Sequence, residues 1–374
     1  MIEERALEAL AAAEGLEATP GNLTRVADAT SESAARWAFG QWALRKRARA
    51  KFALADRMLF DSDGFEMASH EAVAGYHASC FSDGAEAADL SCGIGSDLIA
   101  LARRGSALGF EFDPFRAACA RHNLAVHELD AEVRVGDCLT AIWPSGFAFC
   151  DPSRRSQDLR RRSIADWTPD PFAVAERFRS LRLGGLKLSP MTDDRDLDRL
   201  GGSVEFVSFG GECREALVWL GSLSRPGRRA VHIETGTFLE SSESVPAVST
   251  PKGRLFDADP AAIRAHCLGE LGRRYGLSAL GDSNGYLSGD ADADTPWLRA
   301  YEVLAFHSAD VKRTRTDLRR LGAGTPIVKC RGAKIDVDAL RKELRGEGEE
   351  LVVVVYPDGR SLKHVICRAA KPSF

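Results

Sequence analysis

Over roughly the first 75 residues, apolar positions recur at helical spacing and β-branched clusters are nearly absent. Ala34 to Met58 carries this spacing, while Pro20-Gly21 and Asp61-Ser62-Asp63-Gly64 interrupt it. Apolar faces cut by such breaks predict a small helical bundle. From Ala85 the texture changes. Short apolar runs alternate with helical patterns: Ala87-Ala88-Asp89-Leu90, Ala107-Leu108-Gly109-Phe110, Val133-Arg134-Val135, Ala148-Phe149-Cys150 and Leu186-Lys187-Leu188. Strands alternating with helices predict a parallel α/β sheet. Val204 to Phe209 and Ala216 to Leu220 are then separated by little more than a Gly210-Gly211 turn. A parallel crossover needs a dozen or more residues, so these two must pair antiparallel.

Beyond Pro226-Gly227 the pattern shifts again. Residues 229–300 predict a strand at Ala230 to Ile233, a Ser/Pro/Gly loop over 241–253, a helix from Pro260 to Tyr275 and one further strand. Residues 301–374 predict strands at Tyr301 to Phe306, Ile327 to Lys329 and Leu351 to Tyr356, with helices at Val311 to Leu321 and Asp338 to Arg345. Asp358-Gly359 turns the last of these strands into Lys363 to Cys367, the clearest hairpin signal in the chain. No internal repeat or low-complexity tract is visible. Four segments follow: a helical one over 1–75, the α/β core over 76–228, and α+β modules over 229–300 and 301–374.

The 374 residues suffice for two or three domains, and 44% apolar with 28% charged residues describes an ordinary globular protein. Fifty Lys and Arg against 54 Asp and Glu leave a formal charge of -4. That excludes holding a polyanion by total charge, but leaves room for local basic patches. The nine cysteines are scattered with no C-x-x-C pair, so no zinc ribbon or redox pair is expected and a reducing compartment is. Met1-Ile2-Glu3-Glu4-Arg5 lacks the basic and apolar regions of a signal peptide, and the run Leu351 to Tyr356 is far too short to span a bilayer. A soluble cytoplasmic protein without a metal site is therefore expected.

The sharpest local signal is Asp89-Leu90-Ser91-Cys92-Gly93-Ile94-Gly95-Ser96-Asp97, between a predicted strand and a predicted helix. Two glycines at i, i+2 permit a tight turn and close approach of a ligand to backbone. The next strand ends in Gly109-Phe110-Glu111-Phe112-Asp113-Pro114, which puts an acid 22 residues after Asp89. The third ends in Val135-Gly136-Asp137-Cys138, and the fourth in Phe149-Cys150-Asp151-Pro152-Ser153-Arg154-Arg155. Four successive strands thus end in an acid, at the edge where open α/β sheets bind ligands. A dinucleotide would want a third glycine where Leu98 stands, and Asp89 would sit badly beside phosphate oxygens. S-adenosylmethionine carries no phosphate and presents an ammonium and a sulfonium, which suit an acid-lined turn.

These three motifs resemble those of class I S-adenosylmethionine-dependent methyltransferases. More narrowly, the chain is similar to bacterial methyltransferases with a C-terminal THUMP-like domain. The likeness extends to Lys51-Phe52, Phe65-Glu66-Met67-Ala68-Ser69 and Ala72-Val73-Ala74 before the core. After it come Gly253-Arg254-Leu255-Phe256-Asp257, Ala262-Ile263-Arg264-Ala265 and Val328-Lys329-Cys330-Arg331-Gly332. The resemblance implies a Rossmann-like core whose sheet is mostly parallel with an antiparallel last strand, a ferredoxin-like segment over 229–300 and a THUMP-like module over 301–374. It implies S-adenosylmethionine as cofactor and, because THUMP domains bind RNA, structured RNA such as tRNA or rRNA as partner. A small molecule or protein acceptor and a non-catalytic RNA binder are the alternatives.

By position, the resemblance implies that Asp89, Ser91, Gly93, Gly95 and Asp97 cradle the methionine part of the cofactor. Glu111 would accept from the ribose hydroxyls and Phe112 would pack on the adenine, with Asp113 nearby. Asp137 would meet the adenine amino group, with Cys138 beside it. Asp151, Pro152, Ser153 and Arg154 occupy the place of the Asp-Pro-Pro-aromatic loop of amino-group methyltransferases. Ser153 replaces a proline there and Arg154 an aromatic. Stacking on a base would then fall to Trp167, Phe172 or the guanidinium plane of Arg154, while Arg154 and Arg155 equally suit a substrate phosphate or carboxylate.

Other basic runs have two readings each. Arg160-Arg161-Arg162, Lys312 to Arg320, and Arg45-Lys46-Arg47-Arg49-Lys51 are either solvated faces or nucleic-acid contacts. Trp37 and Trp42 are expected as core anchors of the bundle. Most of the eight histidines are expected to be structural or surface residues, with His70 and His77, just ahead of the core, as candidates to border the active-site mouth.

Overall fold

The computed structural model describes residues 2–143, 146–154 and 164–370, so Arg155 and Arg160-Arg161-Arg162 lie outside the described residues. The chain divides into two compact units, Met1–Ser203 with Leu217–Pro226, and Val204–Ala216 with Gly227–Phe374.

The first unit begins with five helices: α1 (Glu4–Ala12), α2 (Pro20–Ala29), α3 (Glu32–Ala48), α4 (Ser62–Met67) and α5 (Glu71–Ser79). Thr19 and Ser31 cap α2 and α3 by accepting the amides of Asn22 and Ala34, and Pro20 takes the first helical position, where its missing N–H costs nothing. Ala34, Ala35, Ala38, Phe39 and Ala48 form the buried stripe of α3, which ends ten residues short of the Met58 expected from the pattern. Trp37 and Trp42 pack on the core as expected, and Trp42 Nε1 donates to Leu10 O at 2.9 Å.

The α/β part follows as β1 (Ala87–Asp89), α6 (Ser96–Ala102), β2 (Ala107–Glu111), α7 (Pro114–Val126), β3 (Glu132–Val135), β4 (Phe147–Cys150), β5 (Ser153–Arg154), β6 (Trp167–Thr168), α8 (Pro171–Phe178), β7 (Leu183–Leu188) and α9 (Asp194–Leu200). Strands β8 (Ser203–Phe209) and β9 (Glu212–Leu220) form a hairpin. Its turn, Gly210-Gly211, has φ of +65° and +73°, the left-handed pair a two-residue hairpin loop demands. In the first unit the strand order is β9-β7-β4-β1-β2-β3, and β7, β4, β1, β2 and β3 run parallel. The order reverses beside β1, which places the carboxyl ends of β1, β2 and β4 around a topological switch point.

A single hydrophobic core joins the helices to one face of this sheet. Phe39, Met58, Phe60 and Phe65 share it with Ile94, Leu98, Ala117 and Ala120. Asn123, fully buried on α7, accepts from Leu59 N at 2.8 Å and donates to Leu59 O at 3.0 Å and Ile94 O at 2.8 Å. The helical segment is therefore part of the sheet's own packing.

The second unit holds β8, the start of β9, β10 (Gly227–His232) and β11 (Thr237–Glu240), and a further sheet. That sheet is built from β12 (Ala247–Val248), β13 (Arg254–Ala258), β14 (Ser278–Leu280), β15 (Tyr286–Gly289), β16 (Leu298–Ser308), β17 (Ile327–Cys330), β18 (Val352–Asp358) and β19 (Ser361–Ala369). Helices α10 (Pro260–Arg264), α11 (Leu268–Tyr275), α12 (Val311–Arg320) and α13 (Val337–Glu343) accompany it. The order is β12-β14-β15-β13-β16-β19-β18-β17, with strands from both sides of residue 300. Strand β18 is apolar from Val352 to Tyr356 because both of its faces are buried there: Val352, Val354 and Tyr356 meet one core, Val353 and Val355 another. Asp257 on β13 binds Lys329 Nζ at 2.7 Å and Arg331 Nε at 2.9 Å, although β17 lies four places away, so the sheet curls toward a barrel.

Three expectations needed correction here. The helix from Pro260 to Tyr275 is two helices, because His266 turns to φ +60° and its carbonyl accepts from Ser242 N. The 241–253 loop contains β12, and the single strand at Ala230 is one half of the β10–β11 hairpin.

Candidate active site

The acids predicted at the strand ends occupy distinct environments. Asp89 is only 1% exposed. Its Oδ1 accepts the Ser91 amide at 3.2 Å, while Oδ2 is buried with no hydrogen-bond partner. Burial, with Asp97, Asp151 and Glu111 close by, pushes this carboxyl well above the usual carboxylate range. A buried orphan acceptor surrounded by acids is a site prepared for a cation.

The turn above it is open. Gly93 has φ +54°, and a Cβ placed there would meet nothing within 4 Å. Gly95, at φ +96°, is different: its Cβ would stand 3.3 Å from the Ala120 backbone, so this glycine serves helix packing. Leu98 fits where a dinucleotide fold has glycine because Gly109 makes room for it; a Cβ at Gly109 would lie 2.6 Å from Leu98 Cδ2.

Glu111 braces the turn, accepting Gly93 N at 2.9 Å and Asp113 N at 2.8 Å. Phe112 beside it is 74% exposed. Asp113 caps α7 through the amides of Phe115 and Arg116, and Asp137 caps the turn Cys138–Thr140 through Leu139 N. Asp89 and Glu111 cap no helix: the N-cap of α6 is Gly95 and that of α7 is Asp113. Cys138 is buried and burial pushes its thiol up to about 12, so it acts as an apolar wall. Arg177 holds this loop by donating to Leu139 O at 2.7 Å and Ala141 O at 2.9 Å, with its guanidinium 3.5 Å from the Trp143 ring centre.

Asp151 follows β4. Its amide donates to Ser91 Oγ at 2.7 Å, which links the segment after β4 to the glycine turn. Its Oδ2 lies 2.6 Å from Lys187 Nζ on β7. Pro152 is buried, and the backbones of Ser153 and Arg154 pair with Thr168 and Trp167. Trp167 thus stands against this loop. Phe172 is engaged elsewhere, with the Arg199 guanidinium 4.1 Å from its ring centre.

Three residues outside the strand-end motifs complete the site. Ser69, in the link between α4 and α5, donates to Asp97 Oδ2 at 2.8 Å and accepts from Lys187 Nζ at 3.1 Å. His77 on α5 is buried, contacts Asp97 Oδ1 at 2.7 Å and stacks on Phe149 with centroids 4.7 Å apart. Burial alone would raise the Asp97 carboxyl, but His77, Lys187 and Ser69 outweigh it and hold it below the usual range. The result is a continuous chain of contacts, His77–Asp97–Ser69–Lys187–Asp151, from the glycine turn to the end of β4.

The basic run at the end of α3 serves structure in two of its members. Arg45 is buried and donates to Met58 O at 2.9 Å and Arg57 O at 3.3 Å. Lys51 caps α4 by donating to Phe65 O and Ala68 O, each at 3.0 Å. Arg47 pairs with Glu66, and Arg49 with Asp56 at 2.8 Å. No helix among the described residues is long and apolar enough to cross a membrane, and no cluster of His, Cys, Asp or Glu there could hold a metal ion.

An orphaned acid beneath an open glycine turn fits the cationic methionine end of S-adenosylmethionine, and this donor set gives no cradle for a pyrophosphate. The sheet order, the antiparallel hairpin and this turn define a class I methyltransferase. The chain belongs to the S-adenosylmethionine-dependent methyltransferase family: it is 34% identical over 353 residues to an uncharacterized S-adenosylmethionine-dependent methyltransferase of Mycobacterium tuberculosis, known from two strains, covering 91% of this chain and 98% of the relative. Residues 298–369 match the family model described as THUMP domain-like. The fold is similar to that of a crystallised candidate methyltransferase from Porphyromonas gingivalis W83, with a TM-score of 0.79, 21% identity and 98% of each chain covered.

Proposed function

We propose that this methyltransferase modifies a base of structured RNA, with the reacting nitrogen placed at Asp151. The observation that carries the reading is the position of Asp151. It is tied through Ser91 to the glycine turn and is still 28% exposed, within a chain whose 298–369 segment is THUMP domain-like.

Asp89 holds the cofactor's cationic end, supported by its unpartnered Oδ2, with Ser91, Gly93 and Gly95 shaping the turn. Asp97 fixes that turn from beneath, since both of its oxygens are engaged by Ser69 and His77. Glu111 keeps lone pairs for the ribose hydroxyls, Phe112 offers its exposed ring to the adenine, and Asp113, Asp137 and Cys138 hold the adenine side in shape. Bound here, S-adenosylmethionine supplies an electrophilic methyl group. Asp151 accepts a hydrogen bond from the acceptor nitrogen and aims its lone pair, Pro152 stiffens the loop, and Ser153 borders the base together with Trp167. Positioning and exclusion of water then supply most of the acceleration.

The test is methyl transfer from labelled cofactor to total RNA lacking its native methylation, with wild type beside Asp151→Ala. Label in RNA that falls by about 10²-fold or more in the variant, at unchanged cofactor affinity, supports the reading. Tight cofactor binding with no label in RNA overturns it.

A further inference from the structure

The Asp151–Lys187 pair is unusual for a site that would only bind an amine. A carboxylate acceptor and an ammonium donor stand 2.6 Å apart, both partly exposed, at the carboxyl ends of neighbouring strands β4 and β7. The ammonium is held in place from behind: Ser69 accepts from Lys187 at 3.1 Å and spends its own proton on Asp97. The helical segment, through Ser69, thus sets the direction of a charge on the acceptor side.

The sign of that charge discriminates between acceptors. An exocyclic amine gains positive charge as its lone pair attacks, and a fixed cation beside it opposes that gain. A lactam nitrogen, N–H next to C=O, behaves oppositely. As it loses its proton, negative charge spreads onto the carbonyl oxygen, and a donor cation placed there stabilises the transition state more than the ground state. The two groups also match the lactam edge one to one: the carboxylate accepts the N–H and the ammonium donates to the C=O.

We infer that Lys187 is a catalytic residue of the acceptor site and that the Asp151–Lys187 pair selects a lactam-type ring nitrogen of a purine or pyrimidine base, with Ser69 as the positioning residue for Lys187. This rests on the RNA reading above. In the step, the ring N–H proton passes to the Asp151 carboxylate. The nitrogen lone pair forms the N–CH3 bond as the S–CH3 bond breaks, and the bonding pair stays on sulfur, leaving the neutral thioether. Lys187 keeps its protons and shifts one hydrogen bond from Asp151 to the base carbonyl, and Asp151 later returns its proton to water.

The experiment digests RNA methylated by the wild-type protein to nucleosides and locates the label by mass spectrometry. It then follows kcat against pH for wild type, Lys187→Met and Ser69→Ala. Expected is label on a ring nitrogen flanked by a carbonyl. In Lys187→Met, kcat falls about 10²- to 10³-fold, S-adenosylmethionine affinity by calorimetry is kept, and the rate now climbs toward alkaline pH as the lactam ionises by itself. Ser69→Ala shows the same alkaline climb with a smaller loss. Label on an exocyclic amine or on carbon overturns the inference and leaves the RNA reading standing. So does a folded, cofactor-binding Lys187→Met with unchanged kcat. Absence of label from all RNA, with cofactor bound, overturns the RNA reading and this inference with it. The wild-type product decides the matter even where Lys187→Met does not fold.

Discussion

The Ser69 hydroxyl donates a 2.8 Å hydrogen bond to Asp97 Oδ2, joining the helical segment to the first helix of the sheet at a buried acid. The same hydroxyl accepts from Lys187, 118 residues further on. A side chain that serves a buried carboxylate and a partly buried ammonium is costly to remove, because each is left short of a partner. Ser69→Ala should lower the unfolding free energy by about 1–3 kcal/mol, measured in urea, and weaken S-adenosylmethionine binding by calorimetry. Unchanged stability and affinity would contradict this account of the site.

Asp89 predicts a proton linkage. Its folded-state pKa is raised well above the ordinary 3.8, chiefly by burial and then by Asp97. Below the ordinary value the group is protonated folded or unfolded and contributes nothing. As pH rises above it, the unfolded chain releases the proton while the folded one retains it, so stability falls until the raised pKa is passed. Asp89→Asn removes that penalty, and the ligand-free variant should melt a few degrees higher at neutral pH. A cation over Oδ2 favours the anion, so cofactor binding should expel a proton and tighten as pH rises toward the raised pKa. Calorimetry in two buffers of different ionisation enthalpy reads that proton directly. Asp89→Asn should bind weakly and show no proton release.

The two glycines of the turn should separate binding from folding. A side chain at Gly93 enters open space, whereas one at Gly95 runs into the Ala120 backbone. Gly93→Arg should abolish S-adenosylmethionine binding and lose only about 1–2 kcal/mol for the left-handed backbone. Gly95→Ala carries the same backbone cost plus the clash with α7, so it should be the less stable of the two. Thermal unfolding beside calorimetry tests the pair, and the reverse order of stabilities would refute the assignment.

The glycine turn and its acids were legible because a parallel sheet concentrates its chemistry at strand ends, and strand ends can be read from local pattern. Lys187 was not, and Ser69 and His77 came into view only as a member of the Phe65–Ser69 motif and as a histidine just ahead of the core, without their roles. They reach the site across 20 to 118 residues, and each belongs to a common residue type in an ordinary context. Lys187 sits inside Leu186-Lys187-Leu188, where alternation reads only as a strand. The run Arg45 to Lys51 misled in the opposite sense, since nothing local reveals that Arg45 turns inward to carbonyls at 57 and 58 while Lys51 caps α4. In the second unit, β11 escaped notice because its partner β10 and an exposed Phe238 leave no clean alternation.

His364 supplies a pH test confined to the second unit. It lies on β19 with 3% exposure, and its Nδ1 is 2.8 Å from Thr314 Oγ1 of α12. The Thr314 proton goes to Asp310 O at 2.7 Å, so the imidazole Nδ1–H donates to the hydroxyl. His307 faces it at 6.0 Å between ring centres, itself near Asp317, and only Asp310 favours a charge on the ring. Burial first, and His307 second, lower the His364 pKa from 6.5 to about 4. At pH above 6.5 both states are neutral and the full stability is present. As pH falls below that, the unfolded chain takes up a proton which the folded one refuses, and stability drops until about pH 4, by no more than about 1.4 kcal/mol per pH unit. Urea unfolding should therefore show a falling midpoint from pH 7 to pH 4.5, and His364→Gln, which keeps a donor for Thr314 but cannot titrate, should flatten the fall. An equal slope in wild type and variant would place the linkage elsewhere, whereas a flattened one confirms that this imidazole is locked neutral between β19 and α12.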